Sequence, residues 1–402
     1  MPSTMMRPEA PTPRSGPRIL FFSGGTALKE TARALTLHTY NSTHLITPFD
    51  SGGSTQTLRR AFAMPAVGDV RARVIALSDY ALKDAQALHA FFDHRLPVDD
   101  GEQEVLEELR TLYETGHPLL ADIPGKTRAL ICENLAWFVR NMPERFSLAG
   151  ANIGNLFLAA RYLRSNRRLR PAILLFSRLM RARGIVLPVV DVSAHLAVRL
   201  ESGQVIVGQH NFTGKSRHGA VTPISSPIAD CWLTASEYSP EAASVGITSH
   251  IANRIRRAEL VCYPIGSFYS SVLCNLLPAG VGQAVAQNHC PKVFVPNLGT
   301  DPELLGHTVQ MQVERLLRPL LADAPGAKPA DMLSMLLVDR KNGEYSGGIP
   351  EEWLANQGIA VKDTPLVNNG SAPLADADLL AKALIGVSAR KHKDSFILSL
   401  RK

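Results

Sequence analysis

Short apolar runs punctuate the chain at RILFF (18–22), THLIT (43–47), ELVCY (259–263), KVFVP (292–296) and SMLLV (334–338). They favour β-branched and aromatic residues. Each is followed by Gly, Ser, Asn or Asp, and then usually by apolar positions at helical spacing. Strands alternating with helices predict an α/β fold with a mainly parallel sheet covered on both faces. In such sheets ligands sit at the carboxyl ends of the strands. Those are the places where this chain gathers its glycines and small polar residues.

The middle of the chain follows another rhythm. Residues 80–183 predict a helical insertion, with helices near 80–92, 102–115, 126–140, 152–164 and 172–183. GIVLPVV (184–190), HLAVRL (195–200) and QVIVGQ (204–209) then predict strands, the last two joined as a hairpin through ESGQ. From 211 to 230 the polar stretch NFTGKSRHGAVTPISSPIAD predicts a mobile loop. Lys215, Arg217 and His218 would let it close on an anion as a lid. The first 17 residues hold five prolines and no apolar core of a signal peptide, so they read as a disordered tail before an α/β domain over 18–400.

Composition narrows the class. With 45% hydrophobic residues the chain can bury a real core, and no apolar run reaches the length of a membrane span. The net charge of +7 favours anionic ligands in general. The arginines between 161 and 183 have few aromatics among them and read as a solvated helix face rather than a nucleic-acid surface. Five dispersed cysteines without a CxxC pair speak against a disulfide framework and a zinc site, and fit the reducing cytoplasm.

Candidate chemistry lies in the strand-end turns. SGGTAL (23–28) would let the backbone amides of Gly24, Gly25 and Thr26 approach an anion at a helix start. FDSGGST (49–55) repeats that logic: Asp50 can ligate a hard cation such as Mg²⁺, and Gly52, Gly53, Ser54 and Thr55 can cradle phosphate. The plainer reading of either turn is strand-to-helix geometry and capping, which is compatible with ligand binding. ANIGN (151–155) offers Asn152 and Asn155 either as ligand contacts or as caps. Gly266, Ser267 and Ser270, then Asn297, Thr300 and Asp301, complete four strand ends with phosphate-compatible loops. Asp69 is a candidate second acid, or a cap for a helix beginning at Val70.

GGT after the first strand, DSGGST…LRRAFAMPAVGDVR, GANIGNLFLAA, PIGSFYSSVLCNLLPAGVGQAV and PKVFVPNLGT, in this order, resemble the 2-phospho-L-lactate transferase (CofD-like) family over about residues 18–320. The resemblance implies a Rossmann-like three-layer α/β/α fold. It also implies one of two roles. One branch holds Mg²⁺-dependent transferases that move a phospholactyl group from a guanosine diphosphate-type donor to a deazaflavin hydroxyl. The other holds gluconeogenesis-factor proteins that bind nucleotide sugars, and the LRR…MP…GD-R segment is closer to this branch. Three departures stand out: Ser51 where a second acid is usual, Ala27 where the first loop usually has a glycine, and Gly150-Ala151-Asn152 where Gly-His-Ser is usual.

The expectation is therefore a transferase of phosphorus-containing groups. Asp50 would hold Mg²⁺, with Asp50 and Asp69 as catalytic acids. The expected partner is a nucleotide-linked or phosphorylated small molecule, not nucleic acid or a membrane, with a homodimer left open. A non-catalytic nucleotide-sugar sensor is the alternative.

Overall fold

The computed structural model describes residues 12–114, 117–213 and 224–399. Its frame is a seven-stranded parallel sheet and a separate three-stranded antiparallel sheet. The strands are β1 (Ile19–Ser23), β2 (Thr43–Ile46), β3 (Ile185–Pro188), β4 (His195–Leu200), β5 (Val205–Val207), β6 (Ile228–Thr234), β7 (Leu260–Tyr263), β8 (Lys292–Phe294), β9 (Met335–Val338) and β10 (Ala360–Asp363). The large sheet runs β10-β9-β8-β7-β1-β2-β3, and the small one β5-β4-β6.

Side-chain alternation along β1 builds the layers. Ile19 and Phe21 pack with Leu35 of helix α1 (Lys29–Leu35) and with Leu380 and Leu384 of the C-terminal helix Ala377–Ser399. Leu20 and Phe22 face the other way, into a larger core with Tyr263, Phe294 and Leu316. Because both faces are covered, β1 is buried along its whole length, which is why its sequence is a continuous apolar run. This is the three-layer α/β/α arrangement expected from the sequence.

Between β2 and β3 the chain leaves the sheet for α2 (Gly53–Phe62), α3 (Gly68–Ala76), α4 (Lys83–Asp93), α5 (Glu102–Tyr113), α6 (Gly125–Asn141), α7 (Ile153–Arg164) and α8 (Leu169–Leu179). These helices share a core in which Phe92 meets Phe176 with ring centroids 4.9 Å apart. Arginines on the outer side are tied into ion pairs, Arg164 with Glu133 at 2.6 Å and Arg181 with Asp84 at 2.7 Å.

Some expectations change. Residues 228–230, assigned to the mobile loop, belong to β6, where they pair with β4. Strand β10 carried no apolar signal because it is a short, partly exposed edge strand. Residues 13–17, grouped with the tail, are held by hydrogen bonds: Tyr40 N–H donates to the Pro13 carbonyl at 2.8 Å and Thr39 Oγ1 to that of Pro17 at 2.8 Å. The expected lid residues Lys215, Arg217 and His218 lie outside the described residues. Among the described residues no helix is long and apolar enough to cross a membrane.

The topology fixes where a site can be. From β1 the chain builds outward through β2 and β3, then returns to the opposite side of β1 as β7. Connections leaving β1 and β7 diverge to opposite sides, opening a crevice at the carboxyl ends of the strands.

Candidate functional site

That crevice is a cavity of about 480 Å³ lined by the loops after β1, β2 and β7 and by the start of α3. The first loop passes close under α3. A Cβ on Gly25 would sit 2.5 Å from Asp69 Oδ1, and one on Gly24 would sit 2.5 Å from Ser271 Oγ. Only glycine allows this approach. Behind the loop lies Arg73, with no exposed surface. Its guanidinium donates to the Leu28 carbonyl at 2.7 Å and the Gly24 carbonyl at 2.8 Å. Burial lowers its pKa to about 10, with Asp69 opposing, so it remains a cation at neutral pH. Among the described residues, the N–H groups of Gly24, Gly25 and Thr26 take no backbone hydrogen-bond partner.

The second loop turns from β2 into α2. Asp50 Oδ1 accepts from Gly52 N–H at 3.1 Å and from Gln209 Nε2 at 2.6 Å. Burial raises the Asp50 pKa, while the Gly52 N–H, the Arg59 charge and Gln209 pull it down. Arg59, nearly buried, fixes the turn by donating to the Phe49 and Asp50 carbonyls at 3.1 and 2.9 Å. Gly68 brings α3 in close: a Cβ there would meet Thr55 Oγ1 at 2.6 Å, Asp50 Oδ2 at 3.5 Å and Asn155 Nδ2 at 3.9 Å. Asn155 in turn donates to Ser54 Oγ at 3.1 Å, and its own buried Oδ1 has no partner among the described residues.

The third loop follows β7. Gly266 takes φ 141°, a conformation open to glycine. Phe268–Val272 then forms a π-helical turn, a rare geometry that is frequent at functional sites. Ser267 and Ser270 line the cavity. Ser270 Oγ donates to Glu303, whose carboxylate also accepts from the Tyr269 and Ser270 amides at 2.8 and 2.9 Å. Burial, and then Asp301, push Glu303 up to about 7.

The structure thus brings Gly24, Gly25, Thr26, Asp50, Gly52, Gly53, Ser54, Thr55, Asp69, Asn155, Gly266, Ser267 and Ser270 to one cavity. Three expected ligand contacts lie elsewhere. Asn152 is fully buried as the cap of α7, its Oδ1 accepting from Asn155 N–H and its amide donating to the Asp93 and His94 carbonyls. Asn297 clasps the third loop from behind, bonding Gly266 N–H at 2.9 Å and the Gly266 carbonyl at 2.8 Å. Asn297 and Thr300 line a separate cavity, so of the four strand ends with phosphate-compatible loops three share the first cavity and the fourth does not. Asp69 lies within α3, which begins at Gly68 rather than Val70.

Sequence reasoning missed Gln209 and His210. His210 Nδ1 lies 2.7 Å from Ser51 Oγ, so the residue standing in place of a second acid fixes an imidazole that lines the cavity. Burial, helped by Arg60, lowers the His210 pKa, which keeps the ring neutral. Arg71 also lines the cavity while paired with Asp93 at 2.8 Å.

Among the described residues no group of three or more His, Cys, Asp or Glu side chains could hold a metal by itself. Mg²⁺ does not need such a cage, since it is commonly held by one or two carboxylates together with substrate phosphates and water. Asp50, with hard oxygen donors beside the phosphate-type loops, fits that requirement.

Comparison with known proteins finds a family model, relatives and a shared fold. The family model described as 2-phospho-L-lactate transferase CofD matches residues 19–360. A putative gluconeogenesis factor from Thermotoga maritima is 25% identical over 305 residues, 75% of each chain. The gluconeogenesis factor of Bacillus subtilis is 26% identical over 301 residues, 75% of this chain and 74% of that protein. A crystal structure of a UPF0052 family member from Bacillus halodurans shares the fold, with a TM-score of 0.66 at 21% identity over 92% of this chain and 99% of that one.

Proposed function

The chain belongs to the 2-phospho-L-lactate transferase CofD family, and we propose that it binds a nucleotide-linked or phosphorylated small molecule between β1 and β7 and acts as a Mg²⁺-dependent phospho-group transferase. One observation carries this reading: three glycine- and hydroxyl-rich loops and two acids meet in one cavity at the sheet's switch point. The amides of Gly24–Thr26 and the Gly52–Thr55 turn would bind phosphate oxygens. Ser267 would take those on the opposite wall, where Ser270 spends its hydroxyl and amide on Glu303. Asp50 would hold Mg²⁺, which when bound neutralises charge on the phosphate oxygens. An acceptor hydroxyl would attack phosphorus, the bond to the nucleotide leaving group would break, and Asp69 would receive the hydroxyl proton. A cytoplasmic location is part of this reading.

A second reading, a non-catalytic nucleotide-sugar-binding regulator, is favoured by a specific contact. Asp50 Oδ1 is already engaged by Gly52 and Gln209, and the relatives named above are gluconeogenesis factors. A thermal-shift screen of nucleotides and nucleotide sugars with and without Mg²⁺, followed by mass spectrometry of every hit, separates the two. Turnover establishes the transferase. Binding without turnover of any hit, in the presence of candidate acceptor alcohols, leaves the regulator. If no phosphate compound binds, both readings fail.

A further inference from the structure

Ser270 stands between the phosphate-type cavity and a buried acid. It lines the cavity, while its hydroxyl donates to Glu303 Oε1. Glu303 is 1% exposed, and its second oxygen, Oε2, accepts from the Tyr269 and Ser270 amides at 2.8 and 2.9 Å. Three donors of one π-helical turn therefore hold this carboxylate, and among the described residues no lysine or arginine pairs with it. A buried carboxylate without a cation is poised to take a proton.

The groups packed around Glu303 add to that pressure. Asp301, which accepts from the Phe268 and Glu303 amides at 2.8 and 3.1 Å, brings a second negative charge. Tyr269 and Cys274 of the third loop and Cys231 of β6 lie near, and burial pushes all three up, so they stay neutral. The Tyr269 hydroxyl donates to the Ile228 carbonyl at 3.1 Å and lies 2.8 Å from His307 Nε2. Beyond them, around Cys231, stand Asp230 of β6 and Arg315 and Arg318 of the helix Val309–Asp323, with Arg318 paired to Asp230 at 3.2 Å. Glu303 can therefore change charge near neutrality: burial, then Asp301, push it up to about 7.

We propose that Glu303 is a proton-linked positioning residue of this site: it takes up one proton when a phosphate anion enters, and Ser270 then turns its hydroxyl from Glu303 to that anion. The step balances on one proton. Before binding, the Ser270 O–H donates to the carboxylate. A proton from solvent joins Oε1, the new Glu303 O–H donates to Ser270 Oγ, and Ser270 keeps its own proton for a phosphate oxygen. A serine hydroxyl suits this reversal because it donates, accepts and rotates. Oε1 takes the proton because Oε2 already accepts two amides. A negative charge thereby leaves the wall behind the phosphate, and that wall gains a donor. This role rests on the reading of the cavity as a phosphate site and adds the regulation of that site by pH.

Pyrophosphate with Mg²⁺ is titrated calorimetrically into the full chain, Glu303→Gln and Ser270→Ala, at three pH values from about 6 to 8. Two buffers of different ionisation enthalpy at each pH give the protons taken up. The titration of pyrophosphate itself is common to the three proteins and cancels in their differences. Wild type is expected to take up roughly half a proton more than either variant near pH 7, where Glu303 is half-protonated before binding. Its affinity relative to Glu303→Gln should fall about tenfold across the range, the factor for one linked proton. Glutamine offers Ser270 an N–H as the protonated acid offers an O–H, so this variant should bind more tightly than wild type at the alkaline end. A purely structural Glu303 would instead lower affinity equally at every pH. Equal proton uptake in the three proteins, or parallel affinity profiles, overturns the proposal while the phosphate reading stands. If pyrophosphate binds wild type at none of these pH values, the phosphate reading fails and the proposal falls with it.

Discussion

Arg73 Nη2 donates to the carbonyl of Gly24 at 2.8 Å, so a fully buried arginine of α3 holds the first loop of the site from beneath. Its other terminal nitrogen reaches Leu28, and one side chain therefore spans the loop from end to end. Arg73→Met keeps much of the apolar stem but leaves the Gly24 carbonyl without this donor, while the Leu28 carbonyl keeps Ala32 N–H at 2.9 Å. Unmet buried acceptors cost about 1–3 kcal/mol each. We expect a loss of roughly 1–3 kcal/mol in urea unfolding and weakened pyrophosphate binding. Wild-type stability in this variant would show that the loop holds itself.

Gly25→Ala tests the close approach of that loop to α3. The added methyl would lie 2.5 Å from Asp69 Oδ1 and 2.9 Å from Asp69 Cα, and a backbone atom cannot swing aside. Overpacking of this kind costs about 1–3 kcal/mol. The expected outcome is a lower melting temperature together with lost phosphate-ligand binding. Ligand binding at wild-type strength would remove the loop from the site.

Asp50→Asn separates metal binding from turn geometry. Asparagine retains an oxygen for Gly52 N–H and Gln209, so the ligand-free melting temperature should stay close to wild type. A ligand at about 100 times its dissociation constant stabilises a protein by about 2.7 kcal/mol. The Mg²⁺-dependent part of that gain should vanish in the variant, because a hard cation needs the charge. If the Mg²⁺ effect survives while the ligand-free protein is weakened, Asp50 serves the turn alone.

Glu303 predicts a pH dependence. Its folded pKa, raised to about 7, exceeds the ordinary carboxylate value of 4.5. Between those values the folded state binds more protons than the unfolded state, so stability falls as pH rises through the window. Glu303→Gln, which stays neutral, should lose stability less steeply from pH 4.5 to 7 than wild type in parallel urea titrations. Parallel pH profiles would show that the carboxylate is ionised throughout, held by Ser270 and its two amides.

The sequence by itself determined the frame. Runs such as RILFF are apolar at every position because β1 is covered on both faces, and that pattern needs no partner to be recognised. The loops after β1, β2 and β7 were legible as turns, because glycine and hydroxyl residues gather where a strand turns into a helix. Partnership was decided only by the tertiary structure. Arg59 and Arg73 look like ordinary charged helix residues until the fold buries them against backbone carbonyls. Gln209 and His210 reach Asp50 and Ser51 across 159 positions of chain, a separation that leaves no local periodicity. Asn297 has the composition of a ligand contact, yet the fold turns its amide onto the back of Gly266 and opens a second cavity beyond it. Hydrophobic patterning is local and repeats along the chain, so it can be read from the sequence. The direction in which one polar side chain spends its hydrogen bonds depends on which distant backbone the fold sets beside it.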